Sequence, residues 1–500
     1  MVTRILADAS ATEALGAELA LVARPGTLIR LAGGLGAGKT TLARGFIRAL
    51  LDGSDEDIPS PTFTLVQTYG EARIPVAHAD LYRLAGAGQT AELGFEDLLR
   101  DHVLLVEWPE KLEPGLARDV LTVRLAGHGD GRQAELSAAG SWEQGLARLE
   151  AIAGFLAATD WRGAARRFLE GDASFRRYET LSGAAGDAIL MDMPARPDGP
   201  PVKNGLPYSA VAHLAENISA VVAVNRGLIA RGYSAPAIHA CDTGQGLAVI
   251  EDLGRAVYGR MKLGGADMRE PMETAVRLLA DMAARDWPGE VAVDAAHAHR
   301  IPAYDRQALA IETGLLTRWY WPHRFGADIP VAVEADFTAA WDSLFPMLET
   351  ERRVWTLRDF HSPNLLWLPE RTGHKRVGLI DTQDCVLGHP AYDLVSLLQD
   401  ARVTVEPSEA DRLLDLYCGA RHGAGAFDEV SFRAAFALLG AQRATKILGI
   451  FARLNRRDGK PAYLRHMPRV AGYLARNLRH PALAPLAAWH GAHLPEILCP

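Results

Sequence analysis

Two groups of residues in this 500-residue chain have the types and spacing to handle phosphate. The first is Gly33-Gly34-Leu35-Gly36-Ala37-Gly38-Lys39-Thr40, which fits G-x-x-x-x-G-K-[ST]. Gly33, Gly36 and Gly38 let backbone N–H groups turn inward around phosphate oxygens, and Lys39 adds a mobile cation toward the β- and γ-phosphates. The Thr40 hydroxyl, followed by Thr41 at the start of a helical stretch, is suited to ligate Mg2+. A P-loop also needs an acid to hold the metal and a group to position the attacking water. Asp80 and Glu107 close the apolar runs 76–79 and 103–106, so both should emerge at carboxyl ends of strands, where sites in open α/β sheets lie. Either acid alone is as readily a solvated strand-end carboxylate; beside the glycine loop, the functional reading is favoured.

The second group lies far downstream. Leu357-Arg358-Asp359-Phe360-His361-Ser362-Pro363-Asn364 sets an Asp and an Asn five apart, and a later apolar run ends in Asp381. D-x-x-x-x-N is a weak pattern by itself. With a second Asp behind it, it matches what kinase-type transfer requires: Asp359 as the base that takes the acceptor's proton, Asn364 and Asp381 as metal ligands.

Positioning these residues takes at least two folding units, because single cores stop growing near roughly 250–300 residues. Residues 1–145 alternate strand and helix patterns: 27–32 into the glycine loop, helical 41–51, strands at 76–79 and 103–106, and a hairpin from 121–125 and 133–136. That order predicts an α/β domain with a mainly parallel sheet. An opening helix capped by Thr12 is expected within 1–20, and a linking helix leads through 146–160. Residues 161–500 read as a second, α+β domain of two lobes. The small lobe, about 161–253, has strands at 176–182, 188–193 and 247–251, a Pro/Gly-rich loop at 194–207 and a helical stretch at 208–232. The large lobe, about 254–500, is mostly amphipathic helix, with strand-like pieces at 353–357, 365–368 and 377–380.

At the first group the residues reach a family. Leu35–Thr41, Ser60-Pro61-Thr62-Phe63-Thr64, His78-Ala79-Asp80-Leu81-Tyr82-Arg83, Glu92-Leu93-Gly94 and Val106-Glu107-Trp108-Pro109-Glu110 closely resemble the TsaE family, every block in order over about residues 1–140. TsaE is the small bacterial ATPase that supports tRNA threonylcarbamoyladenosine synthesis. The resemblance implies Thr40 and Glu107 around Mg2+, Asp80 as the Walker B-like acid, and Ser60–Thr64 as a nucleotide-sensing loop. It also implies that the partner is a TsaB–TsaD-like protein complex, so tRNA is touched only indirectly. Gly34 departs from the family, which often has Asp there.

The second group resembles the aminoglycoside phosphotransferase-like, protein-kinase-like fold, over about residues 160–475. Gly171–Tyr178, Leu190-Met191-Asp192, Ile250–Gly254, Tyr392–Ser396 and Ile447–Leu454 with Arg457–Lys460 narrow the resemblance to the AmgK-type kinases of N-acetylmuramate and N-acetylglucosamine. By position this implies Asp172–Arg177, with Ser174, Arg176 and Arg177, as the loop over the ATP phosphates. Two departures stand out. Leu357 sits where such catalytic loops usually carry His, and the strand at 188–193 has no lysine for the α/β-phosphates.

Composition bounds the rest. With 48% hydrophobic and 23% charged residues the chain is ordinary globular material. A net charge of −8 provides no global attraction for nucleic acid. Four scattered cysteines argue against a disulfide framework and fit a reducing compartment. No run reaches the roughly 18–20 uninterrupted apolar residues of a bilayer crossing, and Asp8, Glu13 and Glu18 interrupt any signal-peptide layout. The expectation is a cytoplasmic, ATP- and Mg2+-using protein without membrane partners, acting on a small sugar in its second half. Three alternatives stay open: a kinase for an aminoglycoside or other alcohol, a non-catalytic scaffold in the second half, and a nucleotide-switched binding module in the first. Trp319-Tyr320-Trp321 reads as core rather than as a sugar platform.

Overall fold

The computed structural model describes residues 1–51, 57–169, 176–195, 199–349 and 351–498. They form two compact units, Met1–Asp192 and Met193–Pro500, each described by itself.

The first unit contains β1 (Val2–Leu6), α1 (Ala9–Ala20), β2 (Leu28–Ala32), α2 (Lys39–Leu50), β3 (Val66–Tyr69), β4 (Val76–Asp80), β5 (Val103–Glu107), β6 (Val120–His128) and β7 (Gly131–Ala139). The sheet order is β1-β7-β6-β2-β5-β4-β3. Its four central strands are parallel, and antiparallel strands close both edges. Every residue of β4 and β5 is buried, as parallel strands covered on both faces require. Alternation along the strands divides the core. Ile29, Leu31 and Leu105 face α1 and α2 with Leu42 and Phe46, while Leu28, Leu104 and Val106 pack on Phe95 and Leu112. The two helices touch through glycine: a Cβ on Gly16 would stand 2.2 Å from the Leu42 carbonyl oxygen, and one on Gly45 2.1 Å from that of Glu13.

The N-terminus differs from the sequence expectation. Val2–Leu6 is a strand paired with β7, and the cap of α1 is Asp8, whose Oδ1 accepts the Ala11 N–H at 2.8 Å. Thr12 lies inside the helix, its hydroxyl donating to the Asp8 carbonyl at 3.0 Å. The strand exists because β7, 125 residues or more away, supplies its partner. After the helix Ser141–Ala157, β8 (Ala165–Leu169), β9 (Arg177–Gly183) and β10 (Gly186–Asp192) form an antiparallel meander.

The second unit is mainly helical. The expected loop at 194–207 holds a small hairpin, Pro201–Lys203 with Leu206–Pro207. The expected helix at 208–232 is two, Tyr208–Ala212 and Ile218–Ile229, broken where His213 takes φ 54° and Asn217 caps the second. Two short antiparallel pairs hold the later chemistry: Val354–Thr356 with Val386–Gly388, and Leu365–Trp367 with Val377–Leu379. The 30-residue helix Glu429–Asp458 is long and apolar enough to cross a membrane by length and composition, yet 78% of its apolar window is buried inside the protein. It is the central core helix, packed through Phe432, Leu438, Leu448 and Phe451. Tyr320 and Trp321 are buried in the same core, which agrees with the sequence reading.

Candidate functional sites

In the first unit β2 runs directly into the glycine loop, and Gly38, at φ 104°, turns the chain into α2. That left-handed conformation is strained for a residue with a Cβ. Lys39, 4% exposed, donates from Nζ to the carbonyl oxygens of Gly33 and Gly34, both at 2.8 Å. Its ammonium also stands 3.8 Å from the centre of the Trp108 ring. Burial pulls the Lys39 pKa down, opposed by the carboxylates of Glu107, Asp80 and Glu110.

The parallel register of β4 and β5 sets Asp80 directly beside Glu107. Thr40 Oγ1 donates to the Glu107 carboxylate, at 2.8 Å to Oε1 and 3.1 Å to Oε2. Asp80 Oδ2 accepts the hydroxyls of Ser60 at 2.7 Å and Thr62 at 2.8 Å, and Oδ1 accepts the Tyr82 N–H at 3.0 Å. Burial works to raise the Asp80 pKa, but these donors and the charge of His78 outweigh it, and the carboxyl is held below its ordinary value. The structure thus brings together Gly33, Gly36, Gly38, Lys39, Thr40, Asp80 and Glu107, with Thr41 next in α2. Thr40 and Glu107 make an all-oxygen donor pair that suits Mg2+, with Asp80 beside it on the next strand.

Three neighbours were not singled out as site residues from the sequence. His78, fully buried, places Nε2 3.1 Å from Glu107 Oε1. Trp108 covers Lys39, and Arg132 of β7 donates to the carbonyls of Ala37 and Gly36, each at 3.2 Å. His78 shares a face of β4 with Asp80 at the two-residue period, a signal that was present. Arg132 had none, being 95 residues from Ala37.

In the second unit the loop that carries Asp359 and Asn364 spans the gap between strands Val354–Thr356 and Leu365–Trp367. Its entry is pinned from below: the N–H groups of Leu357 and Arg358 donate to Asp393 at 2.7 and 2.9 Å, and Ser396 Oγ donates to the Arg358 carbonyl at 3.0 Å. Burial pushes the Asp393 carboxyl up to about 7 against those two donors. Arg358, at φ 67° and 2% exposed, pairs with Glu312. Lys446 reaches the same Glu312 at 2.8 Å, Gln442 donates to it at 2.9 Å, and the Tyr304 hydroxyl completes the cluster. Glu312 is fully buried; burial favours its neutral form, yet the two cations hold its pKa down to about 2.

Asn364 Nδ2 donates to the Asp359 carbonyl at 3.1 Å and lies 3.4 Å from Asp381 Oδ2. Asp381, also at positive φ, accepts from Gln383 Nε2 at 3.0 Å. Asp359, Asn364 and Asp381 therefore converge, and their oxygens suit a hard divalent cation. The side chain of Asp359 is 39% exposed, so it can meet a substrate. Burial works to raise its pKa, but His361, Lys446 and Arg443 outweigh it and hold the carboxyl well below the usual range. Leu357 is a buried apolar residue; the imidazole nearest Asp359 belongs to His361, with Nε2 3.7 Å from Oδ1. Arg177 opens β9 with Arg176 just before it, and Ser174 lies outside the described residues.

A P-loop site on a parallel sheet, followed by a kinase-type Asp–Asn–Asp cluster beside two short antiparallel strand pairs, defines a chain of two nucleotide-dependent phosphate-handling parts. The profile of the threonylcarbamoyl adenosine biosynthesis protein TsaE family matches residues 6–134, and that of the phosphotransferase enzyme family, APH, matches residues 165–432. The N-acetylmuramate/N-acetylglucosamine kinase of Caulobacter vibrioides is 39% identical over 357 residues, 70% of this chain and 97% of that protein. The kinase of the same name from Neisseria meningitidis is 32% identical over 64% of this chain and 88% of its own length. TsaE of Rickettsia felis is 38% identical over 121 residues, 24% of this chain and 70% of that protein. The chain belongs to the APH phosphotransferase family, alongside the N-acetylmuramate/N-acetylglucosamine kinases, and carries a TsaE-family domain before it.

Proposed function

We propose that the chain is bifunctional. Its second half transfers the γ-phosphoryl group of ATP to the anomeric hydroxyl of N-acetylmuramate or N-acetylglucosamine. Its first half is an ATP-hydrolysing factor for tRNA threonylcarbamoyladenosine formation that works on a TsaB–TsaD-like protein complex.

The observation that carries the kinase reading is the convergence of Asp359, Asn364 and Asp381 in one loop cluster. Asp359 orients the acceptor hydroxyl and takes its proton, its depressed pKa keeping it ionised at neutral pH. Asn364 and Asp381 would hold Mg2+, which would supply charge neutralisation for the phosphates. Arg176 and Arg177 are assigned to the ATP phosphates. In the first half, Lys39 and the loop N–H groups bind phosphate, Thr40 and Glu107 would hold Mg2+, and Asp80 positions water through its hydroxyl-bonded carboxylate.

Incubation of the full chain with ATP·Mg2+ and each sugar, with Asp359→Asn as control, tests the kinase half. Sugar 1-phosphate from wild type and loss by roughly 10²–10⁴-fold in the variant is expected; no sugar phosphate from wild type overturns the reading. ATP turnover measured with and without TsaB–TsaD tests the other half, and strong turnover that the complex leaves unchanged counts against the partner role.

A further inference from the structure

The long helix Glu429–Asp458 carries cations at 443, 446, 453 and 457, spaced i, i+3, i+10 and i+14, which places them on one helical face. Two of the four are compensated. Lys446 is paired with Glu312 at 2.8 Å, and Arg457 with Asp458 at 2.6 Å. Arg443 and Arg453 have no hydrogen-bond or ion-pair partner among the described residues, and the Nε atom of each is buried. Arg443 is only 6% exposed. Arg453 is half-buried, and a guanidinium whose Nε is buried without an acceptor is a group that a bound anion can satisfy.

Arg453 lies over the ring of Tyr208, its Cζ 5.6 Å from the ring centre. The Tyr208 hydroxyl also lacks a hydrogen-bond partner among the described residues. Burial first, then the charges of Arg457 and Arg318, lower the Arg453 pKa, while Tyr208 and Asp458 act in the opposite direction. Along the helix Lys446, which neighbours Asp359 through the Glu312 cluster, is about 10 Å from Arg453. The helix face that carries Arg443 and Lys446, whose charges act on Asp359, therefore continues about two turns to Arg453 and Tyr208, where a substituent of the acceptor can be met.

We infer that Arg453, with the Tyr208 hydroxyl, is the receptor for an acidic substituent on the phosphoryl acceptor, so that the site selects a sugar acid over the corresponding neutral sugar. The inference rests on the amino-sugar kinase reading and adds the residues that discriminate within it. N-acetylmuramate carries a lactyl carboxylate that N-acetylglucosamine lacks; otherwise the two rings are alike.

The test is kcat/KM on both sugars for the wild-type full chain and for Arg453→Gln, Arg453→Lys and Tyr208→Phe. A charge-assisted hydrogen bond to the carboxylate predicts that Arg453→Gln loses roughly 10–100-fold on N-acetylmuramate, mostly in KM, and stays within about 3-fold on N-acetylglucosamine. Arg453→Lys should recover part of the loss, and Tyr208→Phe should lower the acid-to-neutral ratio in the same direction. Equal losses on both sugars, or an unchanged ratio, overturn the receptor assignment while leaving the kinase reading intact. If wild type phosphorylates neither sugar, the kinase reading falls and this inference falls with it.

Discussion

Replacing Glu312 with Gln isolates the most heavily charged buried cluster in the second unit. Glu312 is 0% exposed and faces Arg358, Lys446, Tyr304 and Gln442. A carboxyl held at about 2 instead of 4.5 has a preference for the ionised form worth about 3 kcal/mol. The neutral amide also leaves two buried cations uncompensated, and breaking a buried pair costs roughly 3–5 kcal/mol. Both routes give a loss near 3 kcal/mol. Seven of the ten tryptophans lie beyond residue 193, so intrinsic fluorescence during urea unfolding reports chiefly this unit. With a slope of about 3 kcal/mol per molar, the midpoint should fall by about 1 M. Because the folded pKa is depressed, the stabilisation is complete above about 4.5 and is lost as pH falls toward about 2. The deficit of the variant should therefore be constant from pH 8 to about 5.5 and shrink below that. Adding Lys446→Met should restore part of the loss, since one stranded cation is removed. A midpoint shift under about 0.2 M, or a double variant whose losses simply add, would refute the reasoning.

Three further outcomes follow from the same geometry. Lys39→Ala or Glu107→Gln should abolish ATP turnover by the first unit, measured as phosphate release, while sugar phosphorylation at Asp359 persists. His361→Leu removes the imidazole that lies 3.7 Å from Asp359 and helps hold its carboxyl down, so the acid limb of the kinase kcat/KM profile should move to higher pH; an unmoved limb would exclude His361 from tuning the base. Gly45→Ala puts a methyl group 2.1 Å from the Glu13 carbonyl, which the backbone cannot absorb, so α1 and α2 must separate. Its expected result is a loss of several kcal/mol in the first unit's stability together with weakened nucleotide binding, read by thermal unfolding with and without ATP.

The chain's chemistry was legible as sequence because it is written in short local patterns. A glycine loop before a helix, acids closing apolar runs, and Asp and Asn five apart each carry their geometry within a few residues; the structure gathers Lys39, Thr40, Asp80 and Glu107 in the first unit and, separately, Asp359, Asn364 and Asp381 in the second. Continuous apolar runs at 76–79 and 103–106 likewise announced buried parallel strands. What tertiary structure decided depends on partners distant in the chain. Strand β1 forms only because β7 returns to it, which also moved the helix cap from Thr12 to Asp8. Arg132 reaches the glycine loop by the same edge of the sheet. Glu312 gathers Arg358 and Lys446 across more than 130 residues, and Arg443 and Arg453 make no hydrogen bond or ion pair among the described residues. Local periodicity and spacing select which groups can react. The long-range pairing of strands and the burial of charge, neither of which has a local signature, determine how those groups are held and which charges remain for a substrate to satisfy.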